Sequence, residues 1–154
     1  MADWTNSDGL EVRFKNAEAG QTGAGLSTMG AVKNLVLDFD FATAITAAAD
    51  GHEAFIPAGA YIKSATLIVI TAMGGSSGTL NIGLAQKDGT VISANGIDVA
   101  VAQATLIASA VVKCDGTLAG GTVGIGAANG YVYTSTGGTV SSGRGRLVIE
   151  YIEL

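Results

Sequence analysis

The clearest pattern of apolar and polar positions runs from Phe55 to Met73. A Pro-Ala-Gly turn at Pro57–Gly59 opens it, and an extended segment continues to Met73. Successive side chains of a strand point to opposite faces. Tyr61, Lys63, Ala65, Leu67, Val69 and Thr71 then share one face, and Ile62, Ser64, Thr66, Ile68, Ile70 and Ala72 the other. The second half is apolar on both faces and rich in β-branched residues, which predicts a central strand covered on both sides. A glycine-rich loop, Gly74–Gly78, is expected to stop it, with Thr79–Leu84 as the partner strand.

Lys33–Phe41 alternates as cleanly. Leu35, Leu37, Phe39 and Phe41 are predicted to face the core, and Val36, Asp38 and Asp40 to face outward. Ahead of it, Asn6-Ser-Asp-Gly9 is turn chemistry, and Leu10, Val12 and Phe14 alternate with Glu11 and Arg13 as a short strand. Asn16–Gly30 dissolves into small residues and reads as a linker or long surface loop. Two readings of the first segment stay open: an arm that docks on a partner, or an edge strand of the chain's own sheet. Ala42–Ala49 is ambiguous between strand, bend and helical turn, and Asp50–Glu53 is a loop.

Downstream, Gln86–Thr90 carries an Asp-Gly hairpin turn and Val91–Ala94 a short strand. Asp98 is placed to cap a short helix from Val99 to about Leu106, the one plausible helix. Ala108–Lys113 is extended. Thr122–Ala127, Tyr131–Thr136 and Gly145–Ile152 are the closing strands, separated by Asn129-Gly130 and Gly137-Gly138 turns. About eight short strands with turn signals between them predict an all-β fold, an antiparallel sandwich or barrel. The organisation expected is an N-terminal arm and glycine-rich linker over 1–30 and a β-sandwich domain over 31–154.

Composition narrows the function. Only 14% of the 154 residues are charged, about half the usual share, and the formal charge is −5. That balance argues against a nucleic-acid binder and against adsorption to anionic membranes. The longest apolar stretch, Leu67–Met73, falls far short of the roughly 20 residues of a membrane helix. The start, Met1-Ala-Asp-Trp4, has neither a basic n-region nor an apolar run, so synthesis in a cytoplasm is expected.

The inventory of reactive groups is short. Cys114 and His52 are single, so no disulfide framework and no histidine-rich metal cluster can form within one chain. Cys114 reads as a small buried hydrophobe. No Gly-x-Ser-x-Gly elbow or phosphate loop occurs. Gly124–Asn129 mimics part of a dinucleotide fingerprint, but a strand rather than a helix is predicted after it, so nothing would hold a pyrophosphate. Asp38 and Asp40 share one strand face, which suits a cation or, more commonly, a solvated surface. Arg144 and Arg146 fit an anion or acidic neighbours at the start of the last strand. Tyr131, Tyr133 and Tyr151 fit a sugar-stacking platform or, more commonly, a core or interface. No catalytic, cofactor-binding or metal-binding set is assigned, and an enzyme is not expected.

The order of elements carries a resemblance. Ile56-Pro-Ala-Gly-Ala60 is followed by the Ile62–Ile70 strand, Leu80-Asn-Ile-Gly83 and Asp88-Gly-Thr90. After an Ala-rich crossover come Asn129-Gly-Tyr-Val132, a Gly-Gly turn and Gly145-Arg-Leu-Val-Ile-Glu-Tyr151. Over roughly Ile56–Tyr151 this resembles the jelly-roll decoration (cement) proteins and related small head proteins of tailed bacteriophages. The opening Ala2–Phe14 also looks like the start of such virion proteins. The resemblance implies a jelly-roll-like β-sandwich with an extended N-terminal arm and at most one short helix. It further implies a homotrimer on the outer capsid surface that binds the major capsid protein and bridges capsomers, without cofactor, nucleic acid or membrane. Trp4, Leu10, Val12 and Phe14 are the candidate capsid contacts. The alternative is a receptor- or glycan-binding module of a head fibre or tail appendage, with exposed aromatics near Tyr131 and Tyr133.

Overall fold

The computed structural model describes residues 4–5, 11–12, 32–46, 55–121 and 123–153. Near the N-terminus β1 (Trp4–Thr5) pairs antiparallel with β2 (Glu11–Val12). Five further strands form one antiparallel sheet: β3 (Val32–Asp40), β4 (Tyr61–Ala85), β5 (Val91–Ala102), β6 (Val111–Lys113) and β7 (Tyr131–Ile152). Hydrogen bonding runs in the order β3-β7-β4-β5, with β6 on the same edge of β4 as β5 but beside its first half. The protein is all-β, with no helix among the described residues.

Two strands are far longer than the sequence pattern predicts. β4 runs 25 residues and β7 runs 22, each joining two segments expected to be separate strands. The glycine-rich stretches Gly74–Gly78 and Gly137–Gly138 do not end them. They lie beside one another, with Gly74 opposite Ser142, Gly75 opposite Val140 and Thr79 opposite Gly137, through repeated register shifts. Glycine is needed for this approach. A Cβ on Gly75, where φ is +133°, would lie 1.9 Å from the Thr139 carbonyl oxygen. No residue but glycine fits so close to a neighbouring backbone.

This crossing divides the sheet into two halves. In one, β3 pairs with the C-terminal half of β7, which pairs with Tyr61–Thr71 of β4, which pairs with β6. In the other, Thr79–Ala85 of β4 lies between the N-terminal half of β7 and β5. Both halves bury one face in a single apolar cluster, which gives a β-sandwich. Leu35, Phe39, Leu67 and Leu147 enter it from the first half, and Leu80, Ile82, Leu84 and Ile97 from the second. Each such fully buried aliphatic side chain contributes about 1.5–3 kcal/mol relative to exposure.

The segment expected to be a helix is strand. Asp98 to Ala102 belong to β5, and only Gln103–Thr105 turn. The carboxylate of Asp98 does accept the following N–H, from Val99 at 2.8 Å, but it does so beside a bulge. Ala100 sits there at φ +50°, and its N–H donates to Oδ1 of Asn81 at 2.8 Å. The free edge of β4 supplies a ladder, and tertiary pairing overrides a local cap signal. Thr122–Ala127 likewise forms no strand in its described part. Gly126 takes φ +101° and its carbonyl accepts from the Gly59 amide, while the Ile125 amide donates to the Ala60 carbonyl. Of Ala42–Ala49, the described residues 42–46 are turn and coil. Asp50–Glu53, His52 included, lie outside the described residues.

Gln103 ties the crossing together. Its Nε2 donates to the carbonyls of Met73 and Gly75 at 3.2 and 3.1 Å, and its Oε1 accepts from the Gly78 amide at 3.2 Å. One side chain thus satisfies three backbone groups of a stretch whose own pairing is irregular. Gln103→Ala should destabilise the fold by about 1–2 kcal/mol, because nearby water can replace part of what is lost. A thermal melt should show a fall of roughly 3–6 °C for a chain of this size. An unchanged midpoint would mean that these bonds contribute nothing.

Candidate functional site

The most distinctive surface is the outer face of the first half of the sheet. It follows from strand alternation. Leu35 and Phe39 of β3, Ala65, Leu67 and Val69 of β4, and Leu147 and Ile149 of β7 point into the core. Their neighbours in sequence must therefore point out. Register places Val36, Val148, Thr66 and Lys113 in one row across four strands, and Asp38, Arg146, Ile68 and Val111 in the next. Ile70 follows on the same face of β4.

Two kinds of group share this face. Toward β3 it is charged. Nε and Nη2 of Arg146 donate to the two carboxylate oxygens of Asp38 at 2.6 and 2.9 Å, and Arg144 stands 3.8 Å from Asp38. The Arg146 guanidinium holds the Asp38 carboxyl below its ordinary range. Both partners lie in water, so the pair is screened by salt and adds little stability. Ser64 donates to Glu150 at 2.8 Å nearby. Beside this charged cluster the face is apolar: Val36 on β3 is 55% exposed, Ile68 and Ile70 on β4 37% and 47%, and Val111 on β6 68%, with Val148 of β7 half-buried among them. The expectation that β4 is covered on both sides is thus half met. The core covers one side and, among the described residues, the other is bare.

The remaining candidates separate. Trp4 and Val12 are register partners in the β1–β2 ladder, so the described residues of the first segment pair with one another in a sheet separate from the five-stranded one. Leu10 and Phe14 lie outside the described residues. Asp38 and Asp40 face outward as read, but Asp38 is engaged by arginine. Among the described residues no group of three His, Cys, Asp or Glu side chains gathers to hold a metal ion. Arg144 and Arg146 turn to acidic neighbours, the commoner of their two readings.

The tyrosines do not form a platform. Tyr131 is 8% exposed and Tyr151 9%, at opposite ends of β7. Phe55 covers Tyr131, with ring centroids 5.6 Å apart. Cys114 is buried at 5% exposure beside Asp98, and burial and that carboxylate push its thiol far above the range in which a thiolate forms. Gly124–Asn129 is loop and is followed by β7, so the helix a dinucleotide would require is not there. An open concavity of about 550 Å³ beside Gln103 is lined by Met73, Gly78, Ala102, Leu106 and Ile107, groups with no acid–base chemistry.

What sequence reasoning missed is the apolar patch on the outer face. The signal was present. Val36, Ile68, Ile70, Val111 and Val148 occupy outward positions where a solvated sheet carries polar residues.

No family model and no curated protein sequence matches the chain. Two solved structures share its fold. A chain in the cyanophage Pam1 capsid asymmetric unit superposes with a TM-score of 0.60 at 21% identity, over 92% of this chain and 98% of that one. A chain in the capsid of Ralstonia phage GP4 superposes with a TM-score of 0.56 at 17% identity, over 88% and 92% respectively. At these identities the likeness is one of fold.

Proposed function

We propose that the chain is a structural virion protein of a tailed phage. It sits on the outer surface of the capsid as a homotrimer, binds the major capsid protein and bridges neighbouring capsomers. The observation that carries this reading is the likeness of fold, nearly end to end, to a chain of the Pam1 capsid asymmetric unit. The role is mechanical. An ordinary interface of about 1,600 Å² resists separation of the subunits it spans. Many copies on one shell act together, so modest individual affinities multiply through effective concentration. The N-terminal segment is the capsid contact, with Trp4, Leu10, Val12 and Phe14 as apolar anchors, the residue types that carry interface energy when they fill pockets.

The test is location. Gold-labelled antibody against the recombinant chain should mark phage heads evenly in negative-stain electron microscopy. Label confined to tails or fibre tips would overturn the capsid reading in favour of a receptor-binding appendage. On heads stripped of the protein and re-decorated in vitro, a chain lacking residues 1–14 should fail to bind. Undiminished binding would remove the anchor assignment.

A further inference from the structure

We propose that Asn95-Gly96 is a self-modifying site, at which the Gly96 nitrogen attacks the Asn95 side-chain amide and the asparagine becomes aspartate and isoaspartate with time. None of this depends on capsid attachment.

The sequence holds two Asn-Gly pairs, Asn95-Gly96 and Asn129-Gly130. Such a pair is reactive because glycine has no Cβ to shield its nitrogen from the preceding side chain. Water is the only co-reactant. The Gly96 nitrogen gives up its proton and bonds to Cγ of Asn95. The Cγ–Nδ2 bond breaks, and the departing nitrogen takes up a proton and leaves as ammonia. Water then opens the five-membered imide at one of its two carbonyls. Opening at the side-chain carbonyl leaves an ordinary aspartyl link. Opening at the main-chain carbonyl routes the chain through the side chain, as isoaspartate.

The fold treats the two pairs differently. Asn129 is held at both reacting ends. Its Oδ1 accepts from the Ala58 amide at 3.0 Å, and the Gly130 N–H donates to the carbonyl of fully buried Ile56 at 2.9 Å. Attack there must first break both bonds. Asn95 is exposed, and among the described residues its side-chain amide has no hydrogen-bond partner. It also stands in a bulge of β5. Leu84 of β4 pairs with Ser93 and Ile82 with Asp98, so residues 94–97 oppose Gly83 and have no register partner on β4.

The peptide group that must lose its proton is polarised in place. The Thr117 amide donates to the main-chain carbonyl of Asn95 at 3.3 Å. That carbonyl and the Gly96 N–H belong to one peptide group. A donor at its oxygen therefore stabilises the anion that forms on deprotonation, as an oxyanion hole does. Packing favours glycine at the attacking position. A Cβ on Gly96 would lie 2.7 Å from Cδ1 of Leu118 and 3.1 Å from Cβ of Ser93.

Conversion has a structural consequence. The amides of Gly116, Thr117 and Leu118 donate to the carbonyls of Ile97, Asn95 and Gly96 at 2.8, 3.3 and 2.8 Å. Isoaspartate inserts one more carbon into the main chain ahead of Gly96, so these three bonds can no longer all keep their spacing. The grip of 116–118 on β5 loosens as the chain ages.

Peptide mapping of the full folded chain, aged at mildly alkaline pH, tests this. Trypsin cuts after Lys87, Lys113 and Arg144, which puts Asn95 and Asn129 in separate peptides, 88–113 and 114–144. The first should gain the mass of amide-to-acid conversion and yield isoaspartate. Asp88-Gly89 in the same peptide can isomerise but gains no mass. Breaking two ordinary hydrogen bonds slows Asn129, so the second peptide should convert roughly ten- to a hundredfold more slowly. In denaturant the two should convert alike. Asn95→Gln should remove the gain from 88–113 with an unchanged initial melt. Aged wild type should melt below fresh protein, and aged Asn95→Gln should not. Equal rates for Asn95 and Asn129 in the folded chain would overturn the proposal. So would an Asn95 that stays intact when folded yet converts in denaturant. A converted sample with an unchanged melt would overturn the loosening.

Discussion

Gly75→Ala should be among the most damaging single substitutions in this chain, lowering stability by about 3 kcal/mol or more. Two effects add at that position. The backbone has φ +133°, which residues with a Cβ rarely adopt. A Cβ there would also lie 1.9 Å from the Thr139 carbonyl oxygen and 2.8 Å from its carbon. Those are backbone atoms inside the β4–β7 ladder and cannot rotate away. Relief requires parting the two longest strands where their register is already irregular. Total stability of a domain is only about 5–15 kcal/mol, so the loss is a large fraction of it. Gly59→Ala is the control. Gly59 also has positive φ, +77°, but a Cβ on it meets nothing within 4 Å. Its cost should be backbone strain alone, about 1 kcal/mol. Chemical denaturation of both variants decides. Equal losses would mean that Gly75 does not approach β7 as described, and that the long continuous strands are in doubt.

The expected contrast shows where legibility ended. Alternation alone located the core face of β3 correctly and grouped Leu147, Ile149 and Tyr151 on one face of β7, because burial of one face enforces period two; on β4 it expected cover on both faces, and the register shift between Ile62 and Ser64 breaks the alternation it assumed. The continuity of β4 and β7 was not readable. Glycine clusters such as Gly74–Gly78 signal a turn locally, and only the partner strand shows that they allow close backbone approach instead. The helix expected after Asp98 failed for a related reason. A side-chain oxygen that accepts the next N–H serves a bulge as well as a helix start, and only the free edge of β4 decides between them. The outer patch was half legible. The sequence marked Ile68 and Ile70 as facing an apolar neighbour. It held no sign that, among the described residues, the chain leaves them exposed.

Asp98→Asn should stabilise the protein at neutral pH by about 1–3 kcal/mol and remove a distinctive pH dependence. Asp98 is 4% exposed, and its Oδ2 accepts no hydrogen bond in the structure. It stands where the two halves of the sheet are joined, since the amide of Cys114 donates to Ala65 in one half and that of Gly116 to Ile97 in the other. Burial raises its pKa. The Val99 amide and the Cys114 thiol oppose the rise, and the neighbouring Asp115 carboxylate adds to it. The sign follows. The folded state holds the proton more tightly than the unfolded chain, whose aspartates titrate near 3.9. Stability from this group is therefore complete below about pH 4 and is lost as pH rises through the raised folded value. Asp38 and Asp88, whose carboxyls are held low by Arg146 and by the Thr90 amide, act in the opposite direction. The difference between wild type and Asp98→Asn isolates the buried group, because the exposed carboxylates are common to both. An asparagine keeps the oxygen that accepts from Val99 and offers its amide N–H to Asp115, so no buried acceptor is left bare. Melting midpoints from pH 4 to 8 should nearly coincide at the acid end and diverge as pH rises, the variant lying above by roughly 3–9 °C at neutral pH. Parallel curves, or a variant less stable at pH 7, would show that Asp98 stays ionised without penalty. The junction between the halves would then have to contain a donor that the fold does not reveal.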